Sequence, residues 1–399
     1  MLDMEKVLRD TVCGSIYLNH ASTSIPPLPV YEAVKNYYHT IMKYGATSAK
    51  GEKLVYGQLE DTKRAVAGLL HADSEEIVLM PNGSMGISMV ANGLPIEQGS
   101  NVLVDEMSFI SNVAPFLRLR QQFGVEVRFI PGKLPGYIDL EALEHAIDEK
   151  TVMIAVTHCA NSLGLLQPLE KIGEIAKKHR ILYLVNASNT VGAVPINVKS
   201  VGCDFLSASG RKYLRGPSGS GFLYADKNAV KKIRPPFAAW NGVVWDWENC
   251  GGVYENSACI PVEGSGCFAY GEYDFPAVFG LGKAIAYLGE IGGLDEIYTR
   301  ICSLLQMLMD GLKNISGITI YGPTDAKSRA GIVTFNKEGH SFRETASYLN
   351  NHNIGVMGHH FHCPGVIRLY GISGVVRLSV HYWNTESEVN EVLGVLEEL

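Results

Sequence analysis

No stretch of this 399-residue chain approaches the roughly 18 consecutive apolar residues of a membrane span, so no membrane association is expected. Basic charge is not in excess either. Thirty-four Lys and Arg stand against 41 Asp and Glu, and a net charge of −7 leaves no footprint for nucleic acid. No Cys-x-x-Cys pair occurs. The eight cysteines (Cys13, Cys159, Cys203, Cys250, Cys259, Cys267, Cys302, Cys363) are scattered, which suits reduced thiols in a cytoplasmic protein rather than a disulfide framework. The opening residues Met1 to Lys6 are charged and lack an apolar core, so a signal peptide is not expected. Repeats and low-complexity tracts are absent. The length exceeds what one hydrophobic core sustains, and two domains are expected.

What is present is an alternation. Apolar runs at 76–80, 101–104, 125–130, 152–156 and 181–185 read as strands. Helical patterns at 85–94, 112–123, 140–147 and 169–179 separate them. Continuous apolar strands joined by helices predict a mostly parallel sheet covered on both faces, an α/β fold. Ligands bind beyond the C-terminal strand ends of such sheets. Ser84, His158, Asn161 and Asn186 all fall just after such ends. Two helices, at 29–42 and 54–70, precede the sheet. A smaller α+β unit begins near residue 260, with strands at 317–321, 331–335 and 375–379. The domains are therefore expected as a segment 1–20 packing on the small unit, a large domain 21–260, and a small domain 261–399. Trp240, Trp245 and Trp247 lie in Gly/Asn-rich surroundings that suit a lid or a subunit contact.

The densest chemical signal is Ser207-Ala208-Ser209-Gly210-Arg211-Lys212-Tyr213-Leu214-Arg215-Gly216-Pro217-Ser218-Gly219-Ser220-Gly221. It places Lys212 on a tight glycine-rich loop between two strands, where backbone can approach a ligand closely. A lysine amine there can condense with a carbonyl if burial or neighbouring cations depress its pKa. Pro81-Asn82-Gly83-Ser84 joins a strand to a helix, an arrangement that points backbone N–H groups at an anion.

These residues resemble pyridoxal-phosphate enzymes of fold type I, class V, a group that includes cysteine desulfurases, kynureninases, isopenicillin N epimerase-like proteins and the C–S lyases of ergothioneine synthesis. The resemblance runs from Tyr17-Leu18-Asn19-His20-Ala21 to Tyr382-Trp383-Asn384-Thr385. It implies a large domain with a mostly parallel sheet of the seven-stranded type, pyridoxal 5'-phosphate as cofactor, a small amino-acid substrate and a homodimer. It implies that Lys212 carries the cofactor and shuttles a proton. Gly83, Ser84, Ser209 and Arg211 would hold the phosphate, Arg211 standing where the family has histidine. Asn161 would contact the phenolic oxygen, Asn186 the ring nitrogen, and Phe109 one ring face. Arg377, with Asn19 and His20, would hold the substrate carboxylate.

Three departures shape the expected reaction. Asn186 stands where the family has an aspartate that keeps the ring nitrogen protonated, so the electron sink is expected to be weaker. The ring-stacking histidine is replaced at Phe109 or Ile110. In Gly358-His359-His360-Phe361, Phe361 takes the place of the desulfurase cysteine, and Cys363 lies two residues on. The reaction expected is β-elimination, as in a C–S lyase acting on a cysteine derivative. An epimerase or aminotransferase of the same family is the alternative, and a non-catalytic cofactor-binding protein is a third. His359, His360, His362 and Cys363 suggest a metal, but adjacent histidines without distant partners rarely make a site, and none is expected. Glu272 stands where a neighbouring subunit would reach the phosphate, and is expected to pair with Arg211 or Arg215 or turn away.

Overall fold

The computed structural model describes residues 1–244 and 258–399; Trp245, Trp247 and Cys250 lie outside the described residues. Seven strands form the main sheet: β1 (Ile77–Met80), β2 (Asn101–Asp105), β3 (Glu126–Ile130), β4 (Thr151–Thr157), β5 (Leu182–Asn186), β6 (Phe205–Ser209) and β7 (Gly221–Ala225). Their order is β1-β7-β6-β5-β4-β2-β3. The five strands from β6 to β3 are parallel, and β7 is antiparallel to both β1 and β6. Period-two alternation distributes each buried strand between two apolar layers. Ile154 and Val156 enter one core, while Met153 and Ala155 enter the other. Both faces are therefore covered, as the continuous apolar runs require.

Helix α1 (Leu28–Tyr44) and α2 (Ala49–Leu70) precede the sheet. The second begins earlier than its apolar pattern, because the Ser48 side chain accepts from the Gly51 N–H at 3.0 Å and caps it. Helix α3 (Gly83–Asn92) follows β1, its first turn capped by Asn82, which accepts from the Met85 N–H at 3.0 Å. Helices α4 (Ala114–Phe123) and α5 (Leu169–His179) complete the crossovers.

The small sheet has order β8-β9-β11-β10, from β8 (Ile318–Tyr321), β9 (Ile332–Lys337), β10 (Met357–His359) and β11 (Val375–Ser379). Helix α6 (Phe275–Glu290) packs on α1 and α2, whereas α7 (Leu294–Asn314) packs on β8. Helix α6 thus sits against the helices that precede the large sheet, while α7 packs on the small sheet. Near the N-terminus, Ile16–Tyr17 pairs in parallel with Ile354–Gly355, and the Ser379 N–H donates to the Leu18 carbonyl at 2.7 Å.

No single helix among the described residues is long and apolar enough to cross a membrane.

Candidate active site

The site forms where the C-terminal ends of β1, β4, β5 and β6 meet the N-terminal segment and β11. Strand β6 runs further than its apolar residues do, through Ser207 and Ser209. Both hydroxyls are used against α3. Ser207 Oγ donates to the Gly83 carbonyl at 2.8 Å, and the Gly83 N–H donates to Ser209 Oγ at 3.1 Å. The approach demands glycine: a Cβ on Gly83 would lie 2.6 Å from Ser188 Oγ and 3.2 Å from the Ala208 carbonyl carbon. Ser84 Oγ donates to Ser111 Oγ at 2.8 Å and stays exposed at the helix start. Gly83, Ser84 and Ser209 are thus brought together at the N-terminus of α3, where the dipole and first-turn amides favour an anion.

Lys212 donates from Nζ to Asn189 Oδ1 at 2.9 Å. The Asn189 amide is oriented in turn by its Nδ2, which donates to the Cys159 carbonyl at 3.2 Å. By surface area Lys212 is half-buried, yet it is ringed by protein. Burial first, then the Arg211 and Arg377 charges, lower its amine to about 7. No carboxylate pairs with Lys212, Arg211 or Arg377 among the described residues. The same strand-end turn carries Asn186, whose Oδ1 accepts from the Ser188 N–H at 3.1 Å. Asn189 and Ser188 were not singled out in the sequence, although they follow Asn186 directly.

Arg377, on β11, is fully buried and held by neutral partners. It donates to the Asn161 carbonyl at 3.2 Å, to Asn19 Oδ1 at 2.7 Å and to Ser22 Oγ. Its Nε has no partner. Phe361 covers one face of the guanidinium, with 4.1 Å from Cζ to the ring centroid. Burial brings the Arg377 pKa down to about 10, so the group is still a cation at neutral pH. A buried cation with a spare donor and no counter-charge has the chemistry to receive a carboxylate.

Two assigned roles change. His20 is fully buried, with Nδ1 on Ser24 Oγ at 2.8 Å and Nε2 on the Tyr17 carbonyl at 2.9 Å. Tyr17, His381 and Trp383 surround its ring. Both nitrogens are spent on protein, so His20 fixes the 17–24 segment and does not reach a substrate; Asn19 acts through Arg377. Arg211 does not turn toward Ser209. Its guanidinium donates to the Ser22 carbonyl and the Thr23 hydroxyl, on the carboxylate side of Lys212. Arg215 is likewise committed, to Ile25, Tyr382 and Thr11. Glu272 is exposed and pairs with neither.

Cys363 is fully buried and donates from Sγ to Asn161 Oδ1 at 2.8 Å. Burial pushes its thiol up to about 12. It is a structural partner of Asn161, not a mobile nucleophile. Phe109 is half-buried and meets His362 edge-on at 5.9 Å, while Ile110 is exposed. Of the two, Phe109 is the less exposed. The rings of His359, His360 and His362 lie 4.0 to 5.3 Å apart, and no group of three potential ligands is disposed to hold a metal among the described residues.

A model of the class V aminotransferases matches residues 16–392. The chain belongs to that family. A probable cysteine desulfurase of Methanothermobacter thermautotrophicus is 34% identical over 402 residues, covering 98% of this chain and 96% of the relative. One from Pyrococcus abyssi is 32% identical over 392 residues, covering 96% and 94%. The apo cysteine desulfurase of Thermococcus onnurineus NA1 superposes with a TM-score of 0.91 at 30% identity, covering 100% of this chain and 98% of that one. A cystine C–S lyase in complex with its product, cysteine persulfide, shares the fold with a TM-score of 0.85 at 21% identity, covering 97% and 98%. The family is one of pyridoxal-phosphate enzymes of fold type I. The residues here fit such a cofactor: two arginines and a lysine without carboxylate partners, an unpartnered Nε and a glycine cradle that a Cβ would fill.

Proposed function

We propose that this protein is a pyridoxal-phosphate-dependent C–S lyase, cleaving the Cβ–S bond of a cysteine derivative without a cysteine nucleophile. The observation that carries this is the loop after β10. Phe361 lies on Arg377, and Cys363 is sealed beneath it on Asn161. A sulfur-accepting thiolate is therefore missing from this loop, although relatives are named cysteine desulfurases.

Gly83, Ser84 and Ser209 would hold the phosphate, Asn161 and Asn186 the ring, Phe109 its face, and Lys212 the carbonyl carbon. When bound, the cofactor supplies a carbonyl for the substrate amine and an electron-withdrawing ring. Arg377 fixes the α-carboxylate and so sets which Cα bond points at Lys212. The neutral Lys212 Nζ takes the Cα proton, and the electron pair of that bond expels sulfur from Cβ. Phe361 and the buried Arg377 keep water from the carboxylate side. Incubation with S-substituted cysteines should release pyruvate, ammonia and the sulfur fragment in equal amounts. Absence of pyruvate with thioether, disulfide and sulfoxide derivatives alike would end this reading.

The proton-accepting form of Lys212 is the neutral amine, free only once substrate has displaced it from the cofactor, so kcat should fall as pH drops through about 7. Arg211→Gln removes a cation that favours deprotonation, so the acidic limb of the profile should move to higher pH. An unmoved limb would mean that another group sets it. Cys363→Ser should retain activity within about tenfold, since the serine keeps one hydrogen bond to Asn161. Loss of sulfur release with retained cofactor binding would instead assign the thiol a chemical part.

We also propose a cytoplasmic homodimer. Tyr31, Tyr38 and Met42 on α1 and Leu54 and Tyr56 on α2 are exposed, as are Phe237 and Trp240. Such a surface supports a contact with a second copy. Sedimentation at micromolar concentration reads the oligomeric state directly.

A further inference from the structure

We infer that Asn186 meets the cofactor's ring nitrogen as a hydrogen-bond donor and that this nitrogen is held unprotonated. The inference rests on the cofactor-binding reading above and concerns its electronics. Asn186 ends β5 and is buried. A backbone N–H can only donate, so the atom facing Ser188 N at 3.1 Å must be the amide oxygen. That contact fixes the amide orientation. Nδ2 then has no acceptor among the described residues, and its two N–H groups are free to donate. A donor pairs with the lone pair of an unprotonated pyridine; against a pyridinium it would set N–H against N–H.

Charge points the same way. A pyridinium would need an acid facing it, and no carboxylate among the described residues stands at Asn186 to supply one. Among the described residues three carboxylates are buried: Asp10, Glu76 and Asp105. Asp10 takes Arg9 and the Tyr287 hydroxyl. Glu76 takes Lys199. Asp105 accepts from the Met107 and Thr157 N–H groups and the Ser108 hydroxyl. All are committed. An aspartate at position 186 could accept from Ser188 with one oxygen and from a ring N–H with the other, so Asn186→Asp is a nearly isosteric reversal.

The consequence is substrate choice. A neutral ring stabilises charge at Cα less, so elimination is efficient only when sulfur departs as the proton is taken. Disulfide- or sulfoxide-activated cysteines fit that demand; unactivated thioethers do not.

The test is the nitrogen NMR resonance of holoenzyme reconstituted with ring-15N pyridoxal 5'-phosphate. The expected signal is that of an unprotonated pyridine, constant from pH 6 to 9, moving to the pyridinium position in Asn186→Asp. A pyridinium signal in the unaltered enzyme overturns the inference while leaving cofactor binding intact. Failure of the enzyme to take up cofactor overturns both. Should Asn186→Asp not fold, the unaltered enzyme loaded with the carbocyclic analogue, in which C–H replaces the ring nitrogen, gives a second measure. It loses one hydrogen bond, so turnover should fall by roughly tenfold or less. A fall by several orders of magnitude means that a ring cation is required.

Discussion

Lys212→Ala should eliminate turnover while leaving the fold intact. Removing a positioned proton-transfer group costs roughly 10²–10⁴-fold by itself, and loss of covalent capture by Nζ adds to this. Borohydride should no longer fix the cofactor to the chain, and its absorbance should revert to that of the free aldehyde. Stability should not suffer. The amine sits in a desolvated place between two guanidinium groups with no carboxylate partner, and its ammonium form is disfavoured there. Its folded pKa is lowered from the ordinary lysine value to about 7, so the fold loses stability as pH falls below the lysine range, fully so below about pH 7, and the alanine variant of the cofactor-free protein should melt at the same temperature or higher. Turnover within tenfold of the unaltered enzyme would take Lys212 out of the chemistry.

Arg377→Met carries the second large effect. Truncating one member of a buried, hydrogen-bonded charge pair costs about 2–5 kcal/mol, which here is the loss of the substrate carboxylate's partner. The loss should appear in kcat/KM for amino acids and be much smaller for the corresponding amines, which have no carboxylate to misplace. Arg377→Lys should recover part of it, because charge returns but the planar fork does not. Equal losses for acid and amine substrates would mean that Arg377 only positions Asn19 and Asn161. Far-UV circular dichroism separates either result from unfolding.

The large sheet was legible because its strands are continuous apolar runs and its turns are rich in glycine and polar residues. Strand ends then placed Asn161, Asn186 and the loop of Lys212 on one edge. The polar details were not legible. Ser207 and Ser209 have turn composition, yet they continue β6 because glycines at 83 and 86 let α3 come close enough to engage them. Arg211 carries a long side chain whose direction depends on where Ser22 and Thr23 lie, and those residues are remote in sequence. His20 has the composition of a ligand but is enclosed by aromatic rings contributed from the other end of the chain. The loop after β10 hid a reversal: Phe361, at a left-handed φ of 53°, turns inward onto Arg377, and the cysteine two residues on becomes its support. Packing of α6 on α1 and α2 likewise depends on tertiary contact, which the local pattern of 275–290 does not announce.

The grip of Asn19 on Arg377 joins residues 358 apart in sequence, and Ser22 bridges Arg211 and Arg377 in the same place. At a synthesis rate of roughly 5–20 residues per second, the first partner waits roughly 20–70 s for the last. The large sheet, complete by Ala225, can settle on the ribosome with its phosphate cradle formed, while the carboxylate receptor cannot exist until the final strand has emerged. The order of synthesis therefore lets Gly83 meet Ser209 well before Arg377 can meet Asn19.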